Sequence, residues 1–105
     1  MIFLAIRDPD MRVAADSDEA IEVCHKGARA RLKAPTSAQF PRHSKVDVGV
    51  FRRASIYQGI PIPKGTRTIT SYVDSQNSFG AMLRSKVECL VSPTHELLVI
   101  DIRPS

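Results

Sequence analysis

Between residues 17 and 33 the apolar side chains Ile21, Cys24, Ala28 and Leu32 recur at spacings of three, four and four, which is one face of a helix. Glu22, Lys26, Arg29 and Lys33 fall on the opposite face, with Glu22 four residues before Lys26 in the favourable ion-pair order. Asp16 is suited to cap the start, and Glu19 three residues later completes a capping-box pattern. Acids in the first turns and bases in the last suit the helix dipole. The pattern predicts a helix over residues 16–34, ended by Pro35. Gly27, unfavourable in mid-helix by about 1 kcal/mol against alanine, predicts close approach by another backbone there.

Downstream the period changes from about 3.6 to 2. Val46, Val48 and Val50 alternate with Asp47, Gly49 and Phe51. Over residues 66–74, Ile69, Ser71 and Val73 share one face while Thr68, Thr70 and Tyr72 share the other, in a stretch rich in β-branched residues. Residues 81–92 alternate most cleanly, with Leu83, Val87, Cys89 and Val91 inward and Arg84, Lys86 and Glu88 outward. After a turn at Pro93, Thr94, His95 and Glu96, the residues Leu98, Ile100 and Ile102 make the core face of a last strand. Residues 56–65 contain Gly59, Pro61, Pro63 and Gly65, so a loop that breaks sheet pairing is expected. Residues 35–45 form a proline-bracketed connector, with Phe40 as its anchor in the core.

These elements predict one α+β domain over residues 1–105: an N-terminal strand or arm at 1–15, an amphipathic helix at 16–34, and an antiparallel sheet of three to four strands within 45–103. The helix lies across the sheet. Residues 2–6 would be a short edge strand ended by Pro9 and its charged neighbours.

Length and composition fit that picture. A chain of 105 residues supports a single core without a metal. With no Trp, four Phe and two Tyr, the core is mainly aliphatic. The net charge of +4 is unevenly spread: residues 1–22 carry −4, residues 23–69 carry +9 and residues 70–105 carry −1. The central block favours an acidic partner, whether nucleic acid or an acidic protein face; solubility alone is the plainer account. The opening MIFLAI is too short for a membrane span and lacks the layout of a secretory signal, so a cytoplasmic protein with no membrane partner is expected.

Chemistry-bearing patterns are sparse. No paired Cys/His spacing suggests zinc, and no glycine-rich phosphate loop appears. Cys24 and His25 are consecutive in a helix and point about 100° apart, which argues against a thiolate–imidazole pair. His43 and His95 fall in connectors and are expected at the surface without a fixed carboxylate partner. Cys24 and Cys89 both face inward and could lie near each other. The polar run Asp74, Ser75, Gln76, Asn77 and Ser78 sits between two strands. Asn77 and Gly80 tolerate left-handed backbone, and Phe79 is expected to plug the sheet end, so a structural turn is the first reading. Exposed Asp74, Gln76 and Asn77 are the loop positions best placed for a partner contact.

Two segments, RLKAPTSAQFP at 31–41 and SYVDSQNSFGAMLRSKVEC at 71–89, together resemble an uncharacterised small bacterial and phage domain. Its members share LK-x-P-x-x-A-x-FP followed by GYVD-x-QN-x-FGA-x-x-R, closed by a cysteine; Ser71 stands where that pattern has glycine. The resemblance spans roughly residues 20–92. It implies a shared fold and a bacterial or mobile-element origin, and it carries no activity. It would allow an oxidised Cys24–Cys89 pair in exported relatives, whereas a cytosolic chain is expected to keep two buried thiols.

The expectation is therefore a non-enzymatic protein with no cofactor and no metal. It would bind a host protein complex and block it sterically, as an anti-CRISPR-type or other anti-defence inhibitor does. Candidate contacts are the basic positions Lys26, Arg29, Lys33, Arg52 and Arg53 and the loop residues Asp74, Gln76 and Asn77. Two alternatives stay open: a nucleic-acid-binding module using the basic block, and an envelope-associated bacterial domain.

Overall fold

The computed structural model describes residues 8–105, with side chains from Ser17 onward; the expected strand at residues 2–6 lies outside them. Helix α1 spans Asp8–Ala30 and is followed by two 3₁₀ turns, Pro35–Ser37 and His43–Lys45. The strands are β1 (Asp47–Val50), β2 (Ser55–Tyr57), β3 (Ile60–Ile62), β4 (Arg67–Gln76), β5 (Met82–Val91) and β6 (Leu97–Pro104). A four-stranded antiparallel sheet has the order β1-β4-β5-β6, and β2-β3 forms a separate ribbon. The α+β class and the single helix packed on a four-stranded antiparallel sheet agree with the sequence pattern.

The helix is shifted relative to expectation. It begins at Asp8 rather than Asp16 because Pro9 falls in its first turn, where no backbone N–H is needed. It ends at Ala30, so Leu32 and Lys33 belong to the following turn. Its buried face, Ala20, Ile21, Cys24 and Ala28, meets Ile69 and Val73 of β4 and Val87, Cys89 and Val91 of β5. Gly27 does mark a close approach, but by side chains: a Cβ there would stand 2.6 Å from Leu97 Cδ2.

Cys24 and Cys89 are joined by a disulfide across 65 positions, with their Cα atoms 5.8 Å apart. This corrects the expectation of two reduced thiols. The inward faces of α1 and β5 place the two residues directly over each other, close enough for the bond.

Two other expectations fail locally. Residues 55–62 form a hairpin, because Gln58 and Gly59 both take positive φ (50° and 82°) and Pro61 sits in a two-stranded ribbon whose outer edge needs no N–H. The core face of β6 is Leu97, Ile100 and Ile102 rather than Leu98, Ile100 and Ile102. A bulge between Leu90 and Val91 shifts the register by one residue, so Leu97 pairs with Val91.

Candidate functional site

β4 and β5 pair over ten residues each, from Arg67↔Val91 to Gln76↔Met82. That hairpin outruns its cover. Ala28 is the last fully buried residue of α1 and Val73 the last of β4, while the next inward pair, Ser75↔Leu83, has no helix above it. On the other flank β6 ends at Pro104 opposite Ser85, three residues short of the start of β5. The tip of the hairpin thus projects past both α1 and β6.

The tip is held by a dense set of hydrogen bonds. Asn77 N–H donates to Ala81 O (2.9 Å) and Gly80 N–H to Asn77 O (3.1 Å). The Asn77 side-chain Oδ1 accepts from both Phe79 N–H (2.9 Å) and Ala81 N–H (3.0 Å), an Asx-type closure. Gly80 takes the expected left-handed conformation at φ 83°; Asn77 does not, and serves through its amide instead. Phe79 does not plug the sheet. It is 92% exposed, with Met82 and Leu83 half-exposed behind it. Its loop position lies beyond the last strand pair, so it has no route back to the core. Leaving a phenylalanine in water forgoes about 1.5–3 kcal/mol of burial. On a turn this well fixed, the ring is held out from the domain surface.

The two segments 31–41 and 71–89 meet at this hairpin. Gln39 and Asp74 exchange backbone hydrogen bonds of 2.8 and 2.9 Å, and Ser37 Oγ accepts from Gln76 N–H at 3.0 Å. The 35–40 connector thereby covers the edge of β4 beyond the end of β1. Asp74 is not a free loop acid. Its carboxylate receives Arg84 Nε at 2.8 Å and Nη2 at 3.0 Å, and the guanidinium lies 3.9 Å from the Tyr72 ring centroid. Arg84 holds the Asp74 carboxyl below the usual carboxylate range.

Apart from Asp74, the predicted contact residues separate into three places. Lys33, Gln76 and Asn77 line one groove of about 220 Å³ under the overhang, together with Arg31, Leu32 and Leu83. Lys26 and Arg29 line a second cavity of about 440 Å³ between α1 and the connector. Arg52 and Arg53 are exposed in the β1–β2 loop, at the opposite end of β4 from the tip. The expected basic stripe is therefore divided.

His25 and His43 line the second cavity, and all three histidines have partners that spacing could not reveal. His43 places Nδ1 3.1 Å from Asp18 and Nε2 2.7 Å from Glu22, so it has two carboxylate partners where none was expected. Those hydrogen bonds raise its pKa, the Glu22 contact most. His25 is buried, stacks on Phe40 with ring centroids 4.3 Å apart, and shares a 2.9 Å hydrogen bond with Ser71 Oγ. Desolvation pushes its pKa down to about 4 against the pull of Glu22. His95 Nδ1 lies 3.3 Å from Glu19. Phe40 is half-buried as the anchor expected, with Arg29 stacked 5.2 Å from its centroid. Among the described residues no three His, Cys, Asp or Glu side chains gather as a metal site, and no helix is long and apolar enough to cross a membrane.

No family model, curated protein or solved structure matches this chain.

Proposed function

We propose that this domain is a non-enzymatic protein-binding module whose contact surface is the projecting β4–β5 hairpin. The carrying observation is Phe79, 92% exposed on a turn fixed by the Asn77 side chain. A rigid aromatic of this kind supplies contact area at low entropic cost and is a common anchor of interfaces. Asn77 and Gln76 frame it as polar neighbours.

The cystine bears on where such a module works. Disulfides persist in oxidising compartments and are rare in the reducing cytoplasm, so Cys24–Cys89 supports an envelope or secreted setting over a cytoplasmic one. The steric-inhibitor reading, in which the domain blocks a host complex, keeps its protein-binding mechanism but loses support as a cytoplasmic anti-defence role. The nucleic-acid reading is supported least. Its cations lie on separate surfaces, and Lys26 and Arg29 share their cavity with Glu22.

The test is reconstitution. A partner captured from the native bacterium under non-reducing conditions, with and without nuclease, is identified and its affinity measured with purified wild-type protein and with Phe79→Ser. Loss of about tenfold or more in affinity with an unchanged fold is expected. Equal affinity for Phe79→Ser would remove the hairpin from the interface, and loss of capture on nuclease treatment would return the nucleic-acid reading.

A further inference from the structure

The groove beneath the overhang specifies the chemistry of what the hairpin holds; this inference rests on the protein-binding reading above. Its floor is the inward face of the hairpin where α1 no longer reaches, with Leu83 55% exposed at a position that, one pair deeper in the sheet, would be core. Leu32, just past the helix end, forms the facing apolar wall. Two cations stand on the rim, Arg31 and Lys33, and none of the lining residues is acidic.

Each rim group is set differently. Arg31 lines the groove, and its Nη1 donates to Gly27 O at 2.8 Å, one turn back, which caps the helix end. Its remaining N–H groups can still reach an oxyanion, because a guanidinium carries five donors. Lys33 is exposed and unpaired among the described residues. Asn77 turns its oxygen into the loop, as described, which directs its NH2 outward as a donor. The nearest hairpin carboxylate, Asp74, points to the opposite face of the sheet and is neutralised by Arg84. Apolar floor, cationic rim and outward amide donor define one kind of occupant.

We infer that the groove takes an acidic segment of a partner protein, with an apolar side chain seated between Leu32 and Leu83 and a carboxylate against Arg31 and Lys33. A basic segment would meet like charge at both rim positions, which suppresses the wrong partner. The groove is open, and Asn77 both lines it and accepts from the backbone N–H of Phe79, so groove and tip adjoin at that residue. One segment can therefore engage both.

The experiment uses the full oxidised chain and a panel of fluorescein-labelled, leucine-containing peptides graded from acidic to basic. Affinity is followed by fluorescence anisotropy and the site by amide chemical shifts. The acidic leucine peptides are expected to bind, with shifts at Leu32, Lys33, Gln76, Asn77 and Leu83. Lys33→Glu alone is expected to weaken them about fivefold to tenfold, and Arg31→Glu with Lys33→Glu to reverse the charge preference. Leu83→Ser should weaken binding while keeping that preference. Because Arg31 caps the helix, the single Lys33 variant keeps the test decisive if the double variant unfolds. Equal binding of basic peptides, no change for Lys33→Glu, shifts confined to another surface, or concentration-dependent self-association through the groove each overturns the inference. If Phe79→Ser abolishes binding of the reconstituted partner while Lys33→Glu does not, the hairpin reading stands and this occupant is wrong. If neither variant matters, both fall.

Discussion

Cys24 in α1 and Cys89 in β5 are buried and covalently joined, so the bond ties the helix to a central strand through the middle of the core. It closes a loop of 65 residues, long enough that the unfolded chain loses substantial freedom. Replacing both cysteines with alanine is expected to lower stability by about 2–4 kcal/mol in urea unfolding. Mild reductant should leave the native bond intact, because neither residue is accessible until the domain opens. Protein taken from its own compartment and unfolded in denaturant without reductant should show no free thiols. Two thiols reacting with Ellman's reagent under those conditions would contradict both the bond and the oxidising setting built on it.

The hairpin tip gives a second test, aimed at one oxygen. Asn77 Oδ1 accepts two backbone N–H groups, so the role needs an acceptor and not an amide. Asn77→Asp should preserve the turn, whereas Asn77→Ala leaves two donors to water and loses about 1 kcal/mol. Amide exchange at Phe79 and Ala81 should quicken in the alanine variant and stay slow in the aspartate variant. Equal exchange in both would mean that the backbone bond from Asn77 to Ala81 alone holds the tip.

Histidines 25 and 43 should act on stability with opposite sign. His25 has its pKa lowered to about 4, so between about 6.5 and 4 the unfolded chain takes up a proton that the native ring refuses. Stability is lost as pH falls through that window, by a term on the order of 2–3 kcal/mol. His43 has its pKa raised by Glu22 and Asp18, so its contribution is fully present below about 6.5 and is lost as pH rises through the raised value. His43→Gln should flatten the decline on the alkaline side, and His25→Asn should flatten the one on the acid side. Phe40→Ala, which unstacks and hydrates the His25 ring, should bring its pKa back toward 6.5 as followed by imidazole proton shifts. An unmoved His25 in Phe40→Ala would mean that Ser71 and the sheet, rather than the stacked ring, keep water away.

The parts of this fold that repeat with a period were readable in the chain. Ile21, Cys24 and Ala28 mark the helix face, and Ile69, Val73, Val87, Cys89 and Val91 mark the sheet face, because burial acts on every turn or every second residue. What depended on single events was not. The bulge at Leu90/Val91 exchanges Leu98 for Leu97 by slipping one residue, which alternation alone cannot show. The helix end moved from residue 34 to Ala30, and that short retreat is what uncovers Leu83 and creates the groove. His25–Ser71 and His43–Asp18 join residues far apart in sequence, so no local spacing carries them. Lys33, Gln76 and Asn77 are legible as surface groups and do share a groove, whereas the sequence leads one to expect Phe79 as a plug at the sheet end, because an aromatic between strands usually buries itself. The readable signal against that was its position between Asn77 and Gly80, at the point where a two-residue alternation has ended.

Phe79 finally separates folding from function. A side chain 92% exposed contributes little to the native state, so Phe79→Ser and Phe79→Ala should change unfolding free energy by no more than about 0.5 kcal/mol. They should also raise solubility, since an unpartnered aromatic at a projecting tip promotes association. Met82→Ser should behave alike, while Val73→Ala, at the last buried pair before the overhang, should cost about 1–3 kcal/mol through lost contacts and a residual cavity. The contrast is measured by urea denaturation of the four proteins alongside wild type. A large loss for Phe79→Ser would show that its ring packs against the domain in solution, and the tip would then be part of the fold and not its contact surface.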